Sequence, residues 1–156
     1  GAAHHIRLFG SRALNALRLE KNYESWGREY QPTYGPVETG LDAFVAYDKL
    51  ASFIGKSGAL AERDSGGIMR LCSFVIEAKD ADVIGDEPIA HNGAVVGWIT
   101  SGGYAHGAGK SMAQGYVPKN MADDETGWSV ELLGRILSAK RQKFPLFDAN
   151  GSLMRS

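Results

Sequence analysis

The stretch best suited by residue type and spacing to chemistry is GWITSGGYAHGAGKSMAQGYVP, from Gly97 to Pro118. It is glycine-rich and carries Gly109-Lys110-Ser111 after an apolar run. That is the outward form of a loop that wraps main-chain amides around a phosphate. The pattern would put its first glycine at position 104, and that position is Tyr104. The loop should also feed a helix whose N-terminus helps hold the anion. Here the chain continues SMAQGYVP, which is short and stops at Pro118. A second Gly-Lys-Ser, at Gly55–Ser57, fails the same test because position 50 is Leu50. Neither stretch reads as a phosphate loop.

Other chemistry-bearing residues are scattered. His4, His5, His91 and His106 show no metal-ligand spacing apart from the terminal pair. Serines are plentiful, but nothing links one to a histidine as nucleophile and base. The single cysteine, Cys72, lies in the apolar run LCSFVIE. It can form no internal disulfide and reads as a buried, inert thiol in a reducing compartment. Four residues are candidates for holding a small molecule. Trp26, in an aromatic-rich loop, could pack on a flat ring, against the plainer reading of loop packing. Glu38, in PVETGL, could accept hydrogen bonds from ring nitrogens, or orient the turn that follows. Tyr104 and His106 fall on a hairpin tip in SGGYAHG, where function often gathers, although a solvent-facing turn is the commoner explanation. Lys110 could attract an anionic tail or simply face water.

The elements that must position these residues change character along the chain. Ser11–Lys21 reads as a helix with Ala13, Leu14 and Leu17 on one face, Ser11 as N-cap, and Arg18 and Lys21 at the negative end of its dipole. An ordered loop rich in aromatics, Gly and Pro follows. LDAFVAYDK is expected as a strand and LASFIGKSGALAERD as a second helix, weakened by an internal glycine. RDSGG, Arg63–Gly67, marks a boundary. From about Gly66 to Ser156 short strands alternate with turns: IMRLCSFVIEA, then two apolar runs around Asn92-Gly93, then SMAQGYV, GWSVELLG and RILSAKRQ. Asn-Gly favours a type I′ hairpin. Gly102-Gly103 is expected as a second reversal. In GWSVELLG, Trp128, Val130 and Leu132 alternate with Ser129, Glu131 and Leu133. The whole is an α+β chain: residues 1–65 resemble the end of an α/β domain, and residues 66–156 an antiparallel barrel of jelly-roll or Greek-key type. One strand and two helices cannot enclose a core alone. The first 65 residues are therefore expected to continue into something absent, or to be covered by another chain, such as a second copy in a homo-oligomer.

Composition narrows the class. The chain has 156 residues, 44 % hydrophobic and 22 % charged, with a net charge of −1. That is an ordinary globular domain with no electrostatic footprint for nucleic acid or an anionic membrane. The one basic cluster, KRQK at 140–143, reads as a solvated strand end. No apolar segment approaches the roughly 18 residues of a membrane span, and no signal peptide is evident, so a cytoplasmic location is expected.

Two sets of motifs carry a family resemblance. FGSRALNALRLEKNYESWGREY, GPVETGLDAFVAYDK and FIGKSGAL resemble the tail of the tetrahydrofolate-binding domain of the glycine-cleavage T-protein (aminomethyltransferase) family. DADVIGDEPIAHNGAVVGWITSGGYAHGAGKSMAQGYVP and the ending PLFDANGSLMRS resemble its C-terminal barrel. LRLEK…WG and the spacing of TSG, KS and GYVP are closest to the branch fused behind an FAD-dependent oxidoreductase, the dimethylglycine and sarcosine dehydrogenases. The resemblance implies that a flavin domain oxidises an N-methyl amine, and that tetrahydrofolate captures the one-carbon unit. Folate is then the ligand of Trp26, Glu38, Tyr104 and His106, and FAD belongs to a domain upstream. It also implies that the catalytic aspartate and the pterin-binding carboxylate lie upstream, so this chain alone would be inactive. Leu14 stands where the T-protein pattern has arginine, and Ala43 where it often has an aromatic. An aminomethyltransferase fragment and a non-catalytic barrel module are the alternatives.

Overall fold

The computed structural model describes residues 1–153 and 155; Met154 and Ser156, at the end of the PLFDANGSLMRS motif, lie outside the described residues. Two α-helices, α1 (Ser11–Glu20) and α2 (Lys56–Ser65), precede six strands. These are β1 (Met69–Ile76), β2 (Pro88–His91), β3 (Ala94–Ala105), β4 (Lys110–Pro118), β5 (Trp128–Leu132) and β6 (Arg135–Gln142). They close into an antiparallel barrel in the order β1-β4-β3-β2-β5-β6. β2, β3 and β4 follow one another as hairpins, and β1 lies beside β4 after a long connection, a Greek-key arrangement.

Local sequence explains much of this. The β2–β3 hairpin turns on Asn92 and Gly93, with φ of 50° and 84°, as a type I′ turn requires. Trp128, Val130 and Leu132 point inward from β5. With Cys72, Phe74, Ile89, Ile99 and Val117 they form the core, where Phe74 meets Trp128 edge-on at 5.3 Å. Burial pushes the Cys72 thiol pKa up, in keeping with an inert side chain.

Four expectations are corrected. LDAFVAYDK forms no strand. Asp42–Phe44 is a short 3-10 turn, with Phe44 N bonded to Leu41 O and Val45 N to Asp42 O. Among the described residues no strand lies beside it, and an unpaired strand cannot satisfy its own backbone. Ser11 does not cap α1; Gly10 occupies that place without a side-chain bond. Gly102-Gly103 is not a reversal, because β3 runs through it to Ala105 and the chain turns at 106–109, closed by Gly109 N to Ala105 O at 2.7 Å. A Cβ on Gly102 would sit 2.5 Å from Val83 O, so that glycine permits close approach of a neighbouring segment. The second helix begins at Lys56, after Gly55 at φ 86°.

The N-terminal segment packs on the barrel. β4 is buried along nearly its whole length, because its inner residues Ala113 and Val117 join the core while its outer face lies beneath α1 and the loop after it. Each residue of the Arg18–Lys21 part of the LRLEK motif has a docking role. Arg18 reaches Gln114 Oε1 at 3.2 Å. Leu19 is fully buried. Glu20 accepts a bond from Gly107 N in the β3–β4 turn at 2.7 Å. Lys21 pairs with Asp148 of the C-terminal PLFDANG segment at 3.2 Å.

Candidate functional site

The barrel closes where β1 meets β6, and that ladder is short. Ser73–Ile76 pair with Ala139–Gln142, and β1 continues to Met69 without β6. A cleft of about 550 Å³ opens where the pairing stops. One wall is Leu71, Ser73, Arg141, Gln142 and Lys143 from the barrel. The other is Asn22, Tyr23, Glu24, Tyr30, Thr39, Gly40, Leu41 and Phe44 from the N-terminal segment. The volume is in the range of small-molecule sites.

The polar groups of the cleft are of two kinds. Arg141 donates to the carbonyls of Ala122 at 3.1 Å and Ser73 at 3.2 Å, and also to Gln142 O. Lys143 pairs with Glu125 at 3.0 Å, both of them exposed, a pair that exchanges partners at little cost. The KRQK cluster is thus only partly a solvated strand end, since Arg141 stitches β6 to its neighbours. The opposite wall adds two acceptors. Asn22 Oδ1 is buried with no hydrogen-bond partner, and Asn22 itself is held at φ 54°. Glu24 accepts the Tyr30 hydroxyl at 2.6 Å. Burial raises the Glu24 pKa above the ordinary carboxylate value, against the lowering effect of the Tyr30 bond. Burial, then that same carboxylate, drive the Tyr30 phenol pKa well above its usual value.

The four sequence-derived candidates are not brought together. Trp26 is 81 % exposed, in the turn that follows the cleft residue Glu24. Glu38 Oε1 accepts the amides of Ile68 at 2.7 Å and Met69 at 2.9 Å, so its side chain starts β1. Tyr104 and His106 touch edge-on at 5.1 Å beside the β3–β4 turn. Met69 lies across β4 from Pro118, and Tyr104 lies across from Ser111. Seven steps of strand separate the two, roughly 20–25 Å. Glu38 and the Tyr104–His106 pair therefore occupy opposite ends of the barrel. Sequence reasoning missed Asn22, Glu24, Tyr30 and Arg141. The one legible sign was the crowding of Tyr, Glu and Asn in NYESWGREY. Among the described residues no group of three or more His, Cys, Asp or Glu could hold a metal ion, and no helix is long and apolar enough to cross a membrane.

The family model described as the glycine cleavage T-protein C-terminal barrel domain matches residues 70–148. The chain belongs to this family. The GCVT N-terminal domain matches residues 1–49. The cleft lies between these two matched segments, taking residues from each. Dimethylglycine dehydrogenase, mitochondrial, of Homo sapiens is 41 % identical over 86 % of this chain and 16 % of its own length. The aminomethyltransferase of Exiguobacterium sibiricum is 30 % identical over 88 % of this chain and 38 % of its own length. The crystal structure of glycine cleavage system aminomethyltransferase T from Bartonella henselae superposes with a TM-score of 0.80 at 23 % identity, over 88 % of this chain and 38 % of that one. That match shows a shared fold. The chain thus spans 16 % to 17 % of the dehydrogenases among these relatives.

Proposed function

We propose that this T-protein-family chain forms part of the wall of a tetrahydrofolate pocket in an enzyme that moves a one-carbon unit from an N-methyl amine. The observation that carries the reading is the seam cleft, with its unpartnered Asn22 acceptor. A folate has a flat, nitrogen-bearing ring system at one end and carboxylates at the other. The cleft offers tyrosine and phenylalanine rings for packing, the acceptors Asn22 and Glu24 for N–H groups, and Lys143 for an anionic tail. Arg141, already bonded to main-chain carbonyls, shapes the floor. Bound tetrahydrofolate would supply the N5 and N10 atoms that take up the one-carbon unit. This chain's residues would orient it and exclude water from one side.

The oxidation of the amine, and any FAD it uses, we assign to other parts of a longer protein, on the analogy of the dehydrogenase relatives. Trp26 is kept as a residue that meets the ligand or the protein body around it. Glu38 is engaged with the β1 amides, and Tyr104 and His106 lie at the far end of the barrel, so all three are weaker candidates. A reducing compartment suits Cys72; dehydrogenase relatives such as that of Mus musculus are mitochondrial by name, and the cytoplasm is a second such compartment.

Isothermal titration with tetrahydrofolate tests the reading. Saturable binding with a Kd below about 1 mM is expected, equivalent to about 4 kcal/mol. Tyr30→Leu and Asn22→Leu should each weaken it. Undiminished binding in both variants would move the ligand elsewhere.

A further inference from the structure

The cleft wall from Asn22 to Tyr30 lacks regular secondary structure, yet it supplies Asn22, Tyr23, Glu24 and Tyr30 to the cleft. A loop of this kind needs something to fix it. Glu29 is fully buried and is not among the cleft's lining residues. Its Oε2 accepts Ser25 N at 2.7 Å and Arg18 Nη1 at 3.1 Å. Its Oε1 accepts the Thr100 hydroxyl at 2.7 Å and the Ser101 hydroxyl. Its main-chain carbonyl takes the Tyr116 hydroxyl at 2.8 Å. A carboxylate accommodates about four such bonds, and Glu29 has four. It has no acceptor site left for a ligand. Ser25, tied by its amide to this carboxylate, in turn accepts the amides of Arg28, Glu29 and Tyr30 through its carbonyl. The loop is closed on itself and pinned to α1 and β3 through one side chain.

We propose that Glu29 is the positioning residue of the seam cleft: it holds the Asn22–Tyr30 wall in its ligand-ready shape without touching the ligand. This rests on reading the cleft as a ligand site. With Glu29 in place the wall is preformed. Without it the wall must be ordered by the ligand, and that ordering is subtracted from affinity. The conservative change to glutamine is informative. It adds an amide N–H₂ beside Arg18 and the Ser25 amide, in a region where Gln114 Nε2 is already buried without a partner. A second, milder variant, Ser101→Ala, removes one of the four bonds. Ile89→Val, in the barrel core, serves as a control that lowers stability without touching the loop.

Two readouts on the full 156-residue chain test the proposal: amide hydrogen exchange, and the Kd for tetrahydrofolate. Glu29→Gln should accelerate exchange at Arg28–Tyr30 by more than about tenfold while the β3–β4 amides stay protected. It should raise the Kd about tenfold. Ser101→Ala should shift both in the same direction by less, and Ile89→Val should move neither. Unchanged loop exchange in both Glu29→Gln and Ser101→Ala overturns the proposal, as does a Kd that rises equally in Ile89→Val. If the wild-type chain fails to bind tetrahydrofolate, the ligand reading falls by itself. Exchange then decides the role of Glu29: acceleration confined to the loop upholds it, and uniform acceleration overturns it.

Discussion

At the scale of single residues, burial separates the ion pairs that matter from those that decorate. Arg18 and Glu29 meet at 3.1 Å, with side chains 14 % and 0 % exposed. Arg18→Met would leave the Glu29 carboxylate buried and unpaired. Chemical denaturation should show a loss of about 3–5 kcal/mol. Arg135→Ala breaks a bidentate pair with Asp80 on the surface and should leave the unfolding midpoint where it was. Glu24 gives a pH signature. Its folded pKa is raised, chiefly by burial, so the folded state binds its proton more readily than the unfolded chain does. Its contribution to stability is therefore present below the unfolded value and lost as pH rises through the folded one. Glu24→Gln should be more stable than wild type at neutral pH. That advantage should vanish in acid, as followed by urea titrations across the carboxylate range. None of these roles was legible in the sequence. The hydroxyl partners of Glu29 lie 71 and 72 positions away, and no local pattern connects them.

At the scale of elements, turns and alternation were legible and close approaches were not. The Asn92-Gly93 hairpin and the inward set Trp128, Val130 and Leu132 follow from local rules. The end of β3 does not, because its glycines serve contacts with distant segments. Gly97 shows the same thing: a Cβ there would sit 2.0 Å from Tyr116 O on β4. Gly97→Ala should lower stability by about 3 kcal/mol, measured by thermal unfolding, since main chain cannot yield as a side chain can. The β5–β6 turn departs from the rules in the other direction. Leu133 is held at φ 51° before Gly134 at φ 74°, a conformation that suits asparagine far better than a bulky apolar residue. Leu133 is also largely exposed, so little packing is lost on replacement. Leu133→Asn should gain about 1 kcal/mol, read from the same unfolding curves.

At the scale of the whole molecule, the barrel is complete and the N-terminal segment is not closed on itself. Ile6, Leu8, Phe9, Leu14 and Leu17 are all more than half exposed on or just before α1. The sequence pointed this way, because one strand and two helices are too few to enclose a core alone. It did not show how firmly α1 docks on β3 and β4, which depends on side chains spread from Arg18 to Asp148. An uncovered face of this kind favours self-association. Sedimentation velocity should show the chain's apparent mass rising with concentration, and a Leu8→Ser, Leu14→Ser double change should reduce that rise.

The measurement that bears most directly on the seam cleft is an amide chemical-shift map of the 156-residue chain titrated with tetrahydrofolate. Shifts should concentrate at Asn22–Glu24, Tyr30, Thr39–Leu41, Ser73 and Arg141–Lys143, the two walls that meet where the β1–β6 ladder stops. Shifts centred instead on Tyr104 and His106 at the far end of the barrel, or none at saturating ligand, would contradict it.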